Sequence, residues 1–153
     1  MVESAGVYAI ESIYLDRFVM VGLAGERVIS VSFPRDMPPD AEGEHPLLNR
    51  IERYLDGTRE SFENVDLAMT VRTDHREVLT AIRNIPYGTQ RDVETVARMT
   101  PGLSADDPED IELIRDALDA NPVPLLIPDH RVRDGGSGAP AEVEQRLRAL
   151  EGI

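Results

Sequence analysis

The sequence predicts a mixed α/β fold in which strands come first and helices follow. Three segments near the N-terminus alternate apolar and polar residues, and from about residue 44 onward apolar residues recur at helical spacing. With 41% hydrophobic and 29% charged residues, the 153-residue chain has the composition of a folded globular protein. It is long enough for one well-filled core or for two small lobes that share an interface.

The first third of the chain predicts an antiparallel meander. The alternating segments cover residues 7–15, 17–23 and 27–33, and short polar turns such as Ala24-Gly25-Glu26 separate them. Turns of this length join neighbouring antiparallel strands. A loop rich in proline, glycine and acids follows Pro34 and ends the strand region.

Two amphipathic helices are predicted next, on either side of a linker at 58–72. The first, at about 44–56, carries an apolar face and stops at Gly57. That face consists of Leu47, Leu48, Ile51 and Leu55. The second begins at Thr73 or Asp74, buries Val78, Leu79 and Ile82, and ends before Pro86.

Three further helices are predicted in the second half. Asp92 and Asp107 are side chains that cap helix N-termini, and Pro108 suits the first helical position. The apolar positions that follow the two caps are Val93, Val96 and Ala97, then Ile111, Ile114 and Leu118. These two short helices fit either a helix-turn-helix or a simple packed pair. A final helix at about 140–151 closes the chain.

The charge balance is strongly acidic. The chain has 29 acidic residues against 16 basic ones, a net charge of −13, and every basic residue is arginine. Net charge bears on solubility and association rather than on fold. We therefore expect a halophilic protein adapted to concentrated salt, with a basic protein partner as the alternative.

Several functional classes are excluded or disfavoured by composition. Without cysteine the chain can form no disulfide, thiolate metal site or thiol nucleophile. His45 and His75 lack metal-ligand spacing, so no metal is predicted. The segment GGSG (135–138) is too short for a phosphate loop and is expected to be a flexible turn, and no cofactor is predicted. No apolar run approaches the roughly 20 residues that span a bilayer, and the N-terminus lacks a signal-peptide layout. A monomeric cytoplasmic protein is expected.

Three segments carry a resemblance to a known family: TDHREVLTAIRNIPYG (73–88), ANPVPLLIPDHRV (120–132) and LRALEG (147–152). Together they resemble the alkylguanine-DNA alkyltransferases, also called methylated-DNA-protein-cysteine methyltransferases, and the N-terminal strands and PLLNRIERYLDG match more loosely. The resemblance implies a ribonuclease-H-like lobe with an antiparallel sheet and helix at 1–72. A helical, winged-helix-type DNA-binding lobe would then occupy 73–153.

The acceptor position departs from that family. Where its members have the cysteine that receives the alkyl group, this chain has Asp129. The resemblance implies that His130 and Glu151 match the histidine and glutamate that activate the cysteine, and that Asn121 matches the asparagine supporting the active-site turn. The frame of the site is retained and its nucleophile is absent.

The DNA-contacting positions are altered as well. Val93 stands where the family has a tyrosine that contacts a phosphate, and Glu112 stands where an arginine replaces the extruded base in the stack. Arg115 is the single base on the acidic helix 108–119, where phosphate neutralisation would require several. The loop that covers the flipped base in the family corresponds to 133–143 here and is about five residues shorter, and Ser137 within it is expected near that site. Loop 99–110 is longer than in the family.

Three functions remain open. The first is a non-catalytic alkyltransferase-like protein that recognises alkylated double-stranded DNA for repair, although the family's cysteine-less members usually keep the arginine and carry tryptophan in place of cysteine. The second is a regulatory module that binds a protein partner through helix 108–119. The third is an enzyme in which Asp129 accepts the alkyl group as an ester that His130 helps to hydrolyse.

Overall fold

An antiparallel meander forms the N-terminal part of the computed structural model, which describes residues 5–153. Strands β1 (Ala5–Ser12), β2 (Arg17–Ala24) and β3 (Arg27–Ser32) pair in the order β1-β2-β3, with Val7 opposite Gly22 and Met20 opposite Ser32. The predicted mixed α/β class and the meander are confirmed.

The first strand is shorter than the sequence pattern suggests. It was expected to reach residue 15 but ends at Ser12, whose hydroxyl accepts a hydrogen bond from the Leu15 backbone N–H at 3.1 Å. The Asp16 N–H then bonds the Ile13 carbonyl at 3.2 Å, so the chain turns before β2. Leu15 is fully buried although it lies in this turn, which explains why it continued the apolar pattern.

Five α-helices follow in the described part of the chain: α1 (Pro46–Leu55), α2 (Thr73–Arg83), α3 (Val93–Met99), α4 (Pro108–Asp119) and α5 (Ala141–Glu151). The predicted caps are confirmed, because Asp92 accepts from the Thr95 N–H at 2.8 Å and Asp107 from the Glu109 N–H at 2.9 Å. One boundary was wrong. His45 lies outside α1 as its N-cap, with Nδ1 accepting from the Leu47 N–H.

One hydrophobic cluster joins the sheet to all five helices. It contains side chains from the sheet, from α1 and α2, and from the C-terminal helices, among them Val19, Val21, Ile51, Leu79, Val96, Ile114 and Leu147. Polar contacts reinforce it: the β3 residue Val31 donates its N–H to the Pro122 carbonyl at 2.9 Å, and Arg146 donates to the Leu15 carbonyl at 2.5 Å. The sheet is thereby connected to the turn at 121–128 and to α5.

Between α4 and α5, residues 121–132 form a tight turn and a short 3₁₀ helix at Asp129–Arg131. Nearly every residue of this segment is buried. No helix within residues 5–153 has the length and apolar content needed to cross a bilayer.

Candidate functional site

Asn121 stabilises the turn that leads into the candidate site. Its side-chain N–H donates to the Ile127 carbonyl at 3.1 Å, and its carbonyl oxygen accepts from the Val123 N–H at 3.0 Å. The turn includes Leu125 with φ 82°, a left-handed conformation that is uncommon for a leucine and is maintained here by burial and by these hydrogen bonds.

Asp129 lies at the end of this turn and has no solvent-exposed surface. One carboxylate oxygen accepts from the Ser137 hydroxyl at 2.7 Å, and the other accepts from the Asn121 side chain at 3.0 Å and from the Gly138 N–H at 2.8 Å. Burial raises the pKa of the Asp129 carboxyl and outweighs these three hydrogen bonds, which act in the opposite direction. The carboxylate is therefore occupied entirely by contacts within the protein.

The glycine-rich segment 135–138 covers Asp129. It was expected to be a flexible turn, but the structure shows it packed closely against its surroundings. A Cβ atom added at Gly138 would overlap the Asn121 carbonyl, and one added at Gly136 would overlap the Asp119 carboxylate. At Gly138 only glycine allows this approach, because the obstacle is backbone, whereas the exposed Asp119 side chain beside Gly136 can shift. An alkylated base could reach the Asp129 carboxylate only if the segment moved away.

Glu151 accepts hydrogen bonds from five donor groups. Its Oε2 is 2.6 Å from Nε2 of His130, and the Tyr54 hydroxyl donates to the same oxygen. Arg131 donates from Nε and Nη2, at 2.8 and 3.0 Å, and the Gly88 N–H donates at 2.9 Å. Burial by itself would raise the pKa of Glu151, but the hydrogen bonds from His130, Arg131 and Tyr54 outweigh it and hold that pKa far below its usual range.

The orientation of His130 follows from this carboxylate. Since Glu151 is ionised, Nε2 of His130 is the donor, and Nδ1 is left buried without a partner among the described residues. Such a histidine can polarise a proton-bearing nucleophile at Nδ1. Asp129 offers none, because its oxygens face Ser137, Asn121 and Gly138 and accept hydrogen bonds from all three.

Two residues of this network had no predicted role. Tyr54 lies on the apolar face of α1, and its pKa is raised by burial and by the neighbouring Glu151 charge. A tyrosine in a buried helical position signals a hydroxyl that needs a partner. Arg131 belongs to the quoted motif IPDHRV and also donates to the Ile85 carbonyl at 2.6 Å.

Asp129, Asn121 and Ser137 thus share one hydrogen-bond network, and His130 and Glu151 share a second. No side-chain hydrogen bond between described residues joins the two. The other predicted positions lie apart from both networks. Val93 is buried at the start of α3, and its N–H donates to the Asp134 carboxylate at 2.7 Å. Glu112 and Arg115 are exposed on α4 and form no side-chain hydrogen bond or ion pair with any residue the structure describes.

The exposed surface of α3 and α4 is acidic. On α4 the acidic side chains Glu109, Glu112, Asp116 and Asp119 are exposed. Two arginines near them are already paired, Arg98 with Glu94 at 3.8 Å and Arg133 with Asp92 at 3.3 Å, which leaves Arg115 as the base on α4. A polyanion would therefore meet a surface of its own charge sign.

Comparison with known proteins identifies similar chains. A family model described as "6-O-methylguanine DNA methyltransferase, DNA binding domain" matches residues 74–153. The methylated-DNA–protein-cysteine methyltransferase of Methanopyrus kandleri is 32% identical over 132 residues, which cover 81% of this chain and 93% of that protein.

Solved structures share the fold. The O6-methylguanine methyltransferase of Mycobacterium tuberculosis superposes with a TM-score of 0.72 at 18% identity, covering 97% of this chain and 92% of that one. A structure of OGT from the same organism in complex with DNA superposes with a TM-score of 0.70 at 19% identity, covering 96% and 91%.

Proposed function

Because the chain belongs to the methylated-DNA–protein-cysteine methyltransferase family, we propose that it is a non-catalytic alkyltransferase-like protein associated with the recognition of alkylated DNA. The observation that carries this proposal is the state of Asp129. It stands at the acceptor position of a chain without cysteine, it has no exposed surface, and three internal donors bind its carboxylate.

Transfer of an alkyl group requires an accessible nucleophile. A thiolate at position 129 could attack the alkyl carbon, with guanine as the leaving group, but the chain has no thiol. A carboxylate is intrinsically a weaker nucleophile toward an alkyl ether, and this one is also buried beneath Ser137 and Gly138. We therefore propose that His130, Glu151 and Asn121 now serve to hold the turn and not to activate a nucleophile.

The DNA association is supported by the matched DNA-binding domain at 74–153 and by the likeness to a fold solved with DNA. The acidic face of α4 predicts weak binding at low salt, since phosphate contacts depend on cationic side chains. Binding would therefore depend on recognition of the lesion and not on phosphate neutralisation.

Fluorescence anisotropy tests this function. Duplexes with and without one O6-alkylguanine are titrated with the full chain from about 0.1 M to about 1 M salt, over which the screening length falls from about 10 to about 3 Å. Tighter binding of the modified duplex is expected, with no mass increase of the protein on incubation. Equal binding of both duplexes, or no binding at any salt, would contradict the recognition of alkylated DNA. An alkyl adduct on Asp129 would contradict the absence of alkyl transfer.

A second candidate function is a module that binds a basic protein partner through α4. The observation that favours it is the exposed row of acids on that helix, which includes Glu112 at the family's arginine position. The variant Glu112→Arg separates the two candidates. It should strengthen binding to alkylated DNA if the first is right and weaken capture of a basic partner if the second is right, with Glu77→Arg on α2 as the charge-matched control.

A further inference from the structure

A half-enclosed cavity of about 130 Å³ lies beside the turn at 121–128 and does not include Asp129. Its walls come from three separate stretches: residues 59–63 after α1, residues 83–87 at the end of α2, and the side of the turn that carries Leu125 and Leu126. Pro128 and Arg131 complete the lining, and Arg131 is the residue that the cavity shares with the network around Glu151.

Two arginines line the cavity without a carboxylate partner. Neither Arg59 nor Arg83 has a carboxylate oxygen within 4.0 Å among the residues the structure describes. Arg59 donates to the Tyr87 carbonyl at 3.2 Å, and its guanidinium lies 4.9 Å from the centre of the Tyr87 ring. Arg83 donates from Nη2 to the carbonyls of Phe62 and Val65.

The arginine Arg83 is left with an unmet hydrogen-bonding requirement. Its Nε is buried and has no acceptor in the described part of the chain, and burial lowers the pKa of its guanidinium. An N–H buried without an acceptor is costly, and an anionic acceptor is worth more to a guanidinium than a neutral one. Because Nε has no accessible surface, an anion in the cavity would meet Arg83 through its terminal guanidinium nitrogens and not through Nε.

No carboxylate near the cavity is in contact with this pair, although the charges of Glu63 and Asp66 act on Arg83 from a distance. Glu60 is bonded to Arg50 at 2.8 Å and lies 3.6 Å from Arg53. Glu63 also lines the cavity but is exposed to solvent. In a chain of net charge −13, two arginines left unpaired at one cavity favour an anionic ligand.

The lining is mixed, and its apolar part includes Phe62, Ile85, Leu125 and Leu126. We propose that this cavity binds a small organic monocarboxylate, whose carboxylate contacts Arg59 and Arg83 and whose short apolar body lies against these four side chains. The site is independent of the proposed role in DNA recognition. A fully hydrated inorganic anion fits it less well, since such an ion would gain nothing from the apolar wall.

The test is an NMR titration of the full chain with sodium acetate, sodium butyrate or inorganic phosphate, with sodium chloride holding the ionic strength constant. Saturable shifts of the Arg83 Nε–H and of the Leu125 and Leu126 amides are expected. Butyrate should bind about tenfold more tightly than acetate, because it carries two additional methylene groups. Phosphate should bind more weakly than butyrate.

Variants connect the shifts to the cavity. Arg59→Gln is expected to raise the butyrate Kd about tenfold, because one charge-assisted hydrogen bond to the carboxylate is lost. Arg27→Gln, which removes the same charge from an exposed position at the start of β3, should leave Kd unchanged. Arg83 also holds two backbone carbonyls, so Arg59→Gln is the primary variant and does not depend on whether Arg83→Gln folds.

Three results would overturn the proposal. The first is no saturable shift with butyrate, and the second is phosphate binding more tightly than butyrate, which would remove the role of the apolar wall. The third is equal weakening by Arg59→Gln and Arg27→Gln, which would mean a general charge effect and no defined site.

Discussion

At the scale of single residues, Asp129 behaves as a structural acceptor that closes the segment 135–138 over the site. Asparagine has the same shape and can keep all three contacts, because its oxygen can accept from Asn121 and Gly138 while its amide donates to the Ser137 hydroxyl. Asp129→Asn should therefore unfold at the same or a higher urea concentration at pH 7. Asp129→Ala leaves two N–H donors without an acceptor and should cost about 2–4 kcal/mol. Equal losses in the two variants would contradict this role.

The pH dependence of the same residue has a defined sign. The pKa of Asp129 is raised in the folded protein above its ordinary value of 3.8. The folded state therefore holds this proton more tightly, and stability rises as pH falls through the folded pKa towards 3.8. The difference in urea midpoint between wild type and Asp129→Asn should move in favour of wild type over that interval. A difference that stays constant with pH would count against a buried, titrating Asp129.

Glu151 has the opposite pH dependence. Its pKa is depressed below the ordinary 4.5, so its stabilisation is present above that value and is lost as pH falls through the folded pKa. Glu151→Gln leaves Arg131 buried without its carboxylate and should cost about 3–5 kcal/mol at pH 7, with a smaller difference below pH 4.5. Glu142→Gln is the control on the same helix, because Glu142 is exposed and its ion pair with Arg35 is long, at 3.9 Å. If both variants cost the same in urea unfolding, Glu151 does not organise the site.

At the scale of elements, the segment 135–138 and the end of α4 interlock through glycines. Gly138→Ala forces a methyl group into the Asn121 carbonyl, and overpacking of this kind costs about 1–3 kcal/mol. Gly43→Ala is the matched control, since its Cβ would meet nothing closer than the Ala9 carbonyl at 3.9 Å. Hydrogen exchange should show faster exchange at 133–139 in Gly138→Ala than in Gly43→Ala. Identical exchange in that segment would mean that the lid over Asp129 is not tightly packed.

The acidic residues of α3 and α4 fall into two groups, those that cap a helix and those that are exposed on its surface. Asp92 and Asp107 act as caps and determine where these helices begin. The exposed acids of α4 have no such structural partner apart from Asp110, which accepts from the Ser104 N–H at 2.9 Å. Their chemistry therefore bears on association, where α4 either repels a phosphate backbone or attracts a cationic partner.

At the scale of the whole molecule, the net charge of −13 predicts a stability that depends on salt. Repulsion among carboxylates opposes the compact state, and salt screens it. Raising sodium chloride from about 0.1 M to about 1 M should raise stability by about 1 kcal/mol or more, a Tm increase of about 2–4 °C for a chain of this size. Sucrose at matched osmolality is the control. A Tm that rises equally with sucrose, or falls with salt, would argue against adaptation to concentrated salt.

Local patterns in the sequence determined the meander, the five helices, both aspartate caps and the motif that identifies the family. Apolar periodicity and capping chemistry act between residues a few positions apart, so they can be read along the chain. The end of β1 was predicted wrongly, because Leu15 continues the apolar pattern but is buried by tertiary packing and not as part of a strand.

Only the tertiary structure decided the state of the site. The Tyr54 hydroxyl and Glu151 are 97 positions apart, and Ser137 reaches Asp129 only because glycines let the chain pass close to Asn121. The cavity beside Arg59 and Arg83 is likewise assembled from three distant stretches. Such contacts depend on how separate elements pack around one core, and no periodicity within a single segment encodes them.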